Sequence, residues 1–257
     1  MSHIRFMYDN LWDLGTISTT EVANFPATNT QHRWWQKTFR STDIAGVYLT
    51  LSLSGAMTVQ VAAIKYNNLT LTGTPADVKI FSDTDSAFSP PDPNDGGLSF
   101  PTLSNNIMIY YFAPAGRSRQ YWLFRIVDTI NADSYIELGR IFLGPYFEPK
   151  RNYEPGGGRK GRIDPSVMTT GEEGHVSSIL HTKLWTFDYS FPYVTAADLL
   201  SFTSMFEAMG LSRGFFITED PAYPDSSTYY VRFAQPMTIT PHFAGAFSVS
   251  MSLVESM

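Results

Sequence analysis

Between Tyr135 and Gly158 the chain changes character within a short span, and that change constrains what can form on either side. Ile136, Leu138, Ile141, Phe142 and Leu143 supply the apolar residues of a strand as far as Gly144-Pro145. Beyond that point Pro145, Pro149 and Pro155, followed by Gly156-Gly157-Gly158, withhold what a ladder or a helix needs. The expected organisation is therefore an N-terminal β-domain over 1–148, a Gly/Arg-rich linker arm over 149–174, and a second β-domain over 175–257.

Length and composition agree with two domains. The chain has 257 residues, and domains cluster at roughly 100 to 150. At 43% hydrophobic and 15% aromatic it has ample material for packed cores. A net charge of -6 argues against a dedicated nucleic-acid binder, because phosphate binding rests on clustered Lys and Arg. Without cysteine there are no disulfides, no thiolate catalysis and no Cys-ligated metal, so no oxidising compartment is expected. Met1 to Phe6 lacks the apolar run of a signal peptide, and no window reaches the roughly eighteen apolar residues of a membrane span.

Val47, Leu49, Leu51 and Leu53 alternate with Tyr48, Thr50, Ser52 and Ser54, the pattern of a half-buried antiparallel strand. Val59 to Ile64 reads as a more fully buried strand. Val78–Phe81, Ile107–Phe112 and Tyr121–Val127 follow, separated by turn residues and by a long polar loop from Ser82 to Phe100. Such short strands without helical period indicate a sandwich or jelly roll. Trp34 and Trp35, read as neighbours on a strand, must point to opposite faces, leaving one of them partly exposed.

In the second half Trp185, Phe187, Tyr189 and Phe191 alternate with polar residues. A helix then starts at Thr195, with Asp198 three residues on; Leu199, Phe202, Phe206 and Met209 form its apolar stripe and Gly210 stops it. Strands at Gly214–Thr218, Tyr229–Phe233 and Phe247–Leu253 supply the sheet under that stripe. The expected class is mainly β: an N-terminal jelly-roll sandwich plus a C-terminal antiparallel β-domain with one packed helix.

Catalytic and metal patterns fail on inspection. Gly210-Leu211-Ser212-Arg213-Gly214 matches a hydrolase nucleophile elbow, but that elbow needs a strand before the serine and a helix after it, and here the order is reversed. His3, His32, His175, His181 and His242 show no paired metal spacing. Asp83, Asp85, Asp92, Asn94 and Asp95 gather in the long loop, yet an EF-hand's third oxygen position and closing Glu are missing. Glu172-Glu173 has no third group beside it. No enzyme, cofactor or metal is expected. Trp34, Trp35 and Tyr48 are of the type that stacks on sugar rings, and Lys150, Arg151, Arg159, Lys160 and Arg162 form the basic stretch of an acidic chain, a natural inter-subunit arm.

Phe25-Pro26-Ala27, Phe39-Arg40-Ser41-Thr42, Tyr121 to Ile126 and above all Ile136 to Gly144 resemble the discoidin-type, galactose-binding-like jelly roll found in phage tail proteins. Trp185 to Tyr189, the capped helix, Gly214-Phe215-Phe216-Ile217 with Asp220-Pro221, Val231 to Ala234 and the last alternating strand resemble the tube-like β-domain of siphophage distal tail proteins. This resemblance implies a structural protein of the virion's tail tip, assembled in the host cytoplasm. It would form a homo-oligomeric ring, hexameric in preference to trimeric, that joins the tail tube protein to the hub or baseplate beside the tape measure protein. The alternative expectation is a carbohydrate-binding module that recognises a host-surface glycan through the region of Trp34 and Trp35 or through the acidic loop of Asp83, Asp85, Asp92 and Asp95.

Overall fold

The computed structural model describes residues 3–256 apart from 20–23, 74, 87–96, 155–156, 171–175 and 244. In chain order the strands are β1 (Arg5–Met7), β2 (Thr16–Ser18), β3 (Phe39–Arg40), β4 (Val47–Val59), β5 (Val61–Asn67), β6 (Asp77–Asp83), β7 (Leu98–Ser99), β8 (Ile107–Tyr111), β9 (Arg117–Val127) and β10 (Glu137–Gly144). There follow β11 (Gly158–Ile163), β12 (Val167–Thr170), β13 (Val176–Ile179), β14 (Leu184–Thr195), helix α1 (Ala196–Met209), β15 (Phe215–Thr218), the short α2 (Pro224–Ser227), β16 (Thr228–Phe233), β17 (Thr238–Phe243) and β18 (Ala246–Glu255). The protein is mainly β, as expected.

Two sheets form a jelly-roll sandwich. One has the order β2-β4-β9-β6-β7, the other β3-β10-β5-β8. Leu49, Leu51, Ile80, Trp122 and Phe124 from the first meet Ala62, Ile64, Met108, Leu138 and Leu143 from the second in one core. A third sheet runs β1-β15-β16-β18-β14-β11, with β17 following β16 along the same side of β18. Its core holds Phe187, Phe191, Phe215, Ile217, Phe233 and Leu253 under Phe202 and Met205 of α1.

The middle sheet is covered twice. Alternate residues of β5 and β8, Val61, Ala63, Ile107 and Ile109, leave the sandwich core and pack with Phe142 against Met7, Phe216 and Tyr230 of the third sheet. A strand buried on both faces has no polar side to alternate with, which explains the continuous apolar run in β5 and why all of β10 is buried. The layers therefore stack as sheet, sheet, sheet and helix, with apolar packing at each junction.

Three expectations need correction. The N-terminus does not belong wholly to the sandwich, because β1 pairs with β15, with Phe6 opposite Ile217. Three residues are too short to display a period, and their partner lies far along the chain. Nor is 149–174 a linker throughout. β11 pairs with β14 along its whole length, from Gly158 opposite Tyr189 to Ile163 opposite Leu184, and β12 pairs with β13. β11 carries no apolar alternation since its face is covered by the stems of Lys160 and Arg162 lying over aromatic rings. Lastly, Trp34 and Trp35 sit in a turn before β3 instead of on a strand.

Candidate functional site

Where the sandwich meets the third sheet, a cavity of about 380 Å³ is lined from both sides. The sandwich contributes Asn10, Asp13, Gln31, His32, Arg33, Arg140 and Phe142, and the other module Met7, Met209, Arg213, Phe216 and Tyr230. A volume of this size, apolar walls and a few converging polar groups at a junction are the usual form of a small-molecule site.

Local structure fixes these groups in place. Asn10 caps a 3-10 turn over Leu11–Leu14: its side-chain oxygen accepts from the Trp12 and Leu143 amides, at 3.2 and 2.9 Å, and its amide donates to the Ile141 carbonyl at 2.9 Å. That turn presents Asp13 to Arg140 on β10, which donates to both carboxylate oxygens, at 2.7 and 2.5 Å, and to the Gln31 carbonyl. Gln31 ends a second 3-10 turn, Ala27–Gln31, and its amide holds the Trp12 and Gly15 carbonyls. Tyr230 on β16 closes the junction by donating to the Arg33 carbonyl at 3.3 Å.

The electrostatics follow from this geometry. Burial raises the Asp13 carboxyl above its ordinary range, opposed by the Arg140 hydrogen bonds and by the charges of Arg140 and Arg213. The His32 imidazole is lowered, first by desolvation and then by the cationic charges of Lys37, Arg33 and Arg140. This corner of an acidic protein is thus locally positive.

Trp34 stands beside the cavity. It is 52% exposed, its ring centroid lies 5.3 Å from that of His32, and the Arg33 guanidinium is 4.9 Å from it. Trp35 points elsewhere, against Tyr66 at 5.5 Å and under the Lys65 ammonium at 5.3 Å. Neither indole lines the cavity itself: Trp34 flanks it through His32 and Arg33, and Trp35 packs against the apolar cluster of Met7, Phe142, Phe216 and Tyr230 that forms part of its wall. Tyr48 is 48% exposed, on the outer face of β4.

The basic residues of 149–174 are dispersed. Lys160 lies among Tyr229, Trp185 and Phe187, at 4.2, 4.7 and 5.5 Å, and pairs with Glu219 at 3.1 Å. Arg162 lies 4.1 Å over Trp185. Arg151 is 5.9 Å from the Tyr193 ring, Arg159 lines a separate groove with Asp188 and Gln235, and Lys150 is exposed. Lys160 and Arg162 are thus laid against their own sheet.

Ser212 falls in the turn between α1 and β15, the helix-to-strand order read from sequence. Asp92, Asn94, Asp95, Glu172, Glu173 and His175 lie outside the described residues. Among the described residues no group of three or more His, Asp or Glu is placed to hold a metal, and no helix is long and apolar enough to cross a membrane. Asp13, Arg140, Arg213 and Tyr230 were not singled out from sequence as site residues. An arginine inside the apolar run of β10 was the available signal, since a charge there must find a buried partner.

No protein-family model and no curated protein sequence matches the chain. Among solved structures, the chitosan-binding module 1 derived from a chitosanase/glucanase of Paenibacillus sp. IK-5 aligns at 16% identity and a TM-score of 0.40, covering 53% of this chain and 98% of that one. The family 32 carbohydrate-binding module of Clostridium perfringens NanJ, solved with galactose, aligns at 13% identity and 0.40, covering 56% and 99%. CBM32-1 from a Clostridium perfringens family 31 glycoside hydrolase aligns at 10% identity and 0.39, covering 54% and 99%.

Proposed function

We propose that this protein binds carbohydrate, with the junction cavity and Trp34 as its site. The observation that carries the reading is the combination at one place of a half-exposed indole and a set of polar groups held by buried turns. A sugar presents the complementary chemistry: an apolar ring face for the indole and hydroxyls for the polar groups of the cavity wall. Glycan-array screening followed by calorimetry tests it. Trp34→Ala is expected to weaken a bound glycan about tenfold, the worth of one aromatic stack. An empty array, or a variant that binds as well as the parent, would overturn the reading.

A second reading, assembly into a tail-tip ring, is favoured by one feature. The β12–β13 hairpin forms a two-stranded sheet of its own and exposes Val167, Met168, Ile179 and Leu180, at 52%, 72%, 62% and 83%. An isolated hairpin with apolar residues in water is marginal without a partner. In this reading the occupant is a second copy of the chain, and sedimentation velocity decides it. The two readings are compatible, because the hairpin and the cavity use different residues.

A further inference from the structure

The junction cavity has an excess of positive charge. Arg33, Arg140 and Arg213 line it against one carboxylate, Asp13, among the described residues. Asp13 is already committed, since both its oxygens accept from Arg140 and Oδ1 also accepts from the Asn10 amide at 3.1 Å. Arg33 and Arg213 enter no ion pair among the described residues; Arg213 has a 3.4 Å bond to the Ala208 carbonyl, and Arg33 lies over Trp34. The walls beside them, Met7, Phe142, Met209 and Phe216, are apolar, while Arg33 and Arg213 are themselves exposed and free to meet a ligand. The two unpaired guanidiniums come from different modules, one from the turn after Gln31 and one from the turn after α1.

Guanidinium groups without a counter-charge select planar anions, which accept two parallel hydrogen bonds from one fork. Resting on the carbohydrate reading, we infer that the ligand of the junction cavity is an acidic saccharide, a sugar whose carboxylate is received by Arg33 and Arg213 while its ring lies toward Trp34. Asp13 and Arg140 neutralise one another and hold the wall of the cavity in place.

Calorimetry on the full chain tests this with matched pairs: sialyllactose against lactose, and trigalacturonate against galactotriose. Sodium sulfate serves as a plain anion. The acidic member of at least one pair is expected to bind about tenfold or more tightly than its neutral partner, with the advantage shrinking as salt is raised. Arg213→Gln and Arg33→Gln are each expected to remove about tenfold from the acidic sugar and so to narrow its advantage over the neutral partner. Equal affinity within both pairs would overturn the acidic ligand and leave the sugar reading standing. Binding of no sugar at all would overturn both. Sulfate competing as strongly as the acidic sugars would mark a simple anion site and overturn the proposal. Should either variant misfold, the comparison within each pair on the unaltered protein still decides the outcome.

Discussion

Tyr111 shows how single side chains tie the modules together. It sits at the end of β8 and donates a 2.8 Å hydrogen bond to Thr218 on β15, while the Arg5 guanidinium lies 4.7 Å over its ring. Burial pushes its phenol up to about 12 from 10.0, against the opposing pull of Thr218 and Arg5. A folded state that holds this proton more tightly than the unfolded chain keeps the full benefit below pH 10 and loses it as pH rises toward 12, by up to about 1.4 kcal/mol per pH unit. Tyr111→Phe is expected to cost about 1 kcal/mol near neutrality, because Thr218 keeps its 2.8 Å contact with Thr228. The variant should also lose this share of the decline between pH 10 and 12. Urea midpoints of both proteins at pH 9 and 11.5 check the expectation, and identical slopes would refute it. At this scale sequence was informative where a residue obeys a local rule. Thr195 accepts from the Asp198 amide at 3.2 Å, and Gly210 ends α1 at φ +52°, both as read from the chain. It was uninformative for Asp13 and Arg140, whose pairing spans most of the sandwich in sequence.

Among the elements, the contrast between β11 and the β12–β13 hairpin is instructive. β11 is an edge strand whose charged side chains blunt further pairing, with Lys160 and Arg162 folded onto the aromatics of their own sheet. The hairpin beyond it has no such cover. If it docks onto a second copy, the combined variant Met168→Lys, Leu180→Lys should shift the sedimentation profile toward monomer while leaving the unfolding midpoint of the single chain within about 0.5 kcal/mol, as for most exposed positions. A parent protein that is monomeric at every concentration tested would end the ring reading. Strands with one wet face, such as β4 and β18, were legible from alternation. β11 was hidden because glycine and charge dominate it, and β12 and β13 because Pro165, Gly171 and Gly174 bound two four-residue runs too short to show a period; what stabilises β11 is a neighbouring strand rather than its own pattern.

For the whole molecule the decisive feature is the buried middle sheet. Phe216 is 1% exposed, and its ring centroid lies 4.9 Å from that of Tyr230 and 6.0 Å from that of Phe142. Phe216→Ala should lower stability by about 3–5 kcal/mol in a single transition followed by tryptophan fluorescence. Two separated transitions, with the sandwich unfolding at its original midpoint, would mean that the modules fold independently. The sequence by itself determined the mainly β class, the strands with one wet face, the capped helix and the helix-to-strand order around Ser212, because each of these depends on residues within a few positions of one another. Only the tertiary structure decided that β1 completes the third sheet, that Gly158–Ile163 is a strand, and that the half-exposed Trp34 flanks a cavity. It also brought Arg33, Arg140 and Arg213 to one cavity. Such proximity comes from sheet pairing and layer packing between distant segments, which leave no period in the chain to be read.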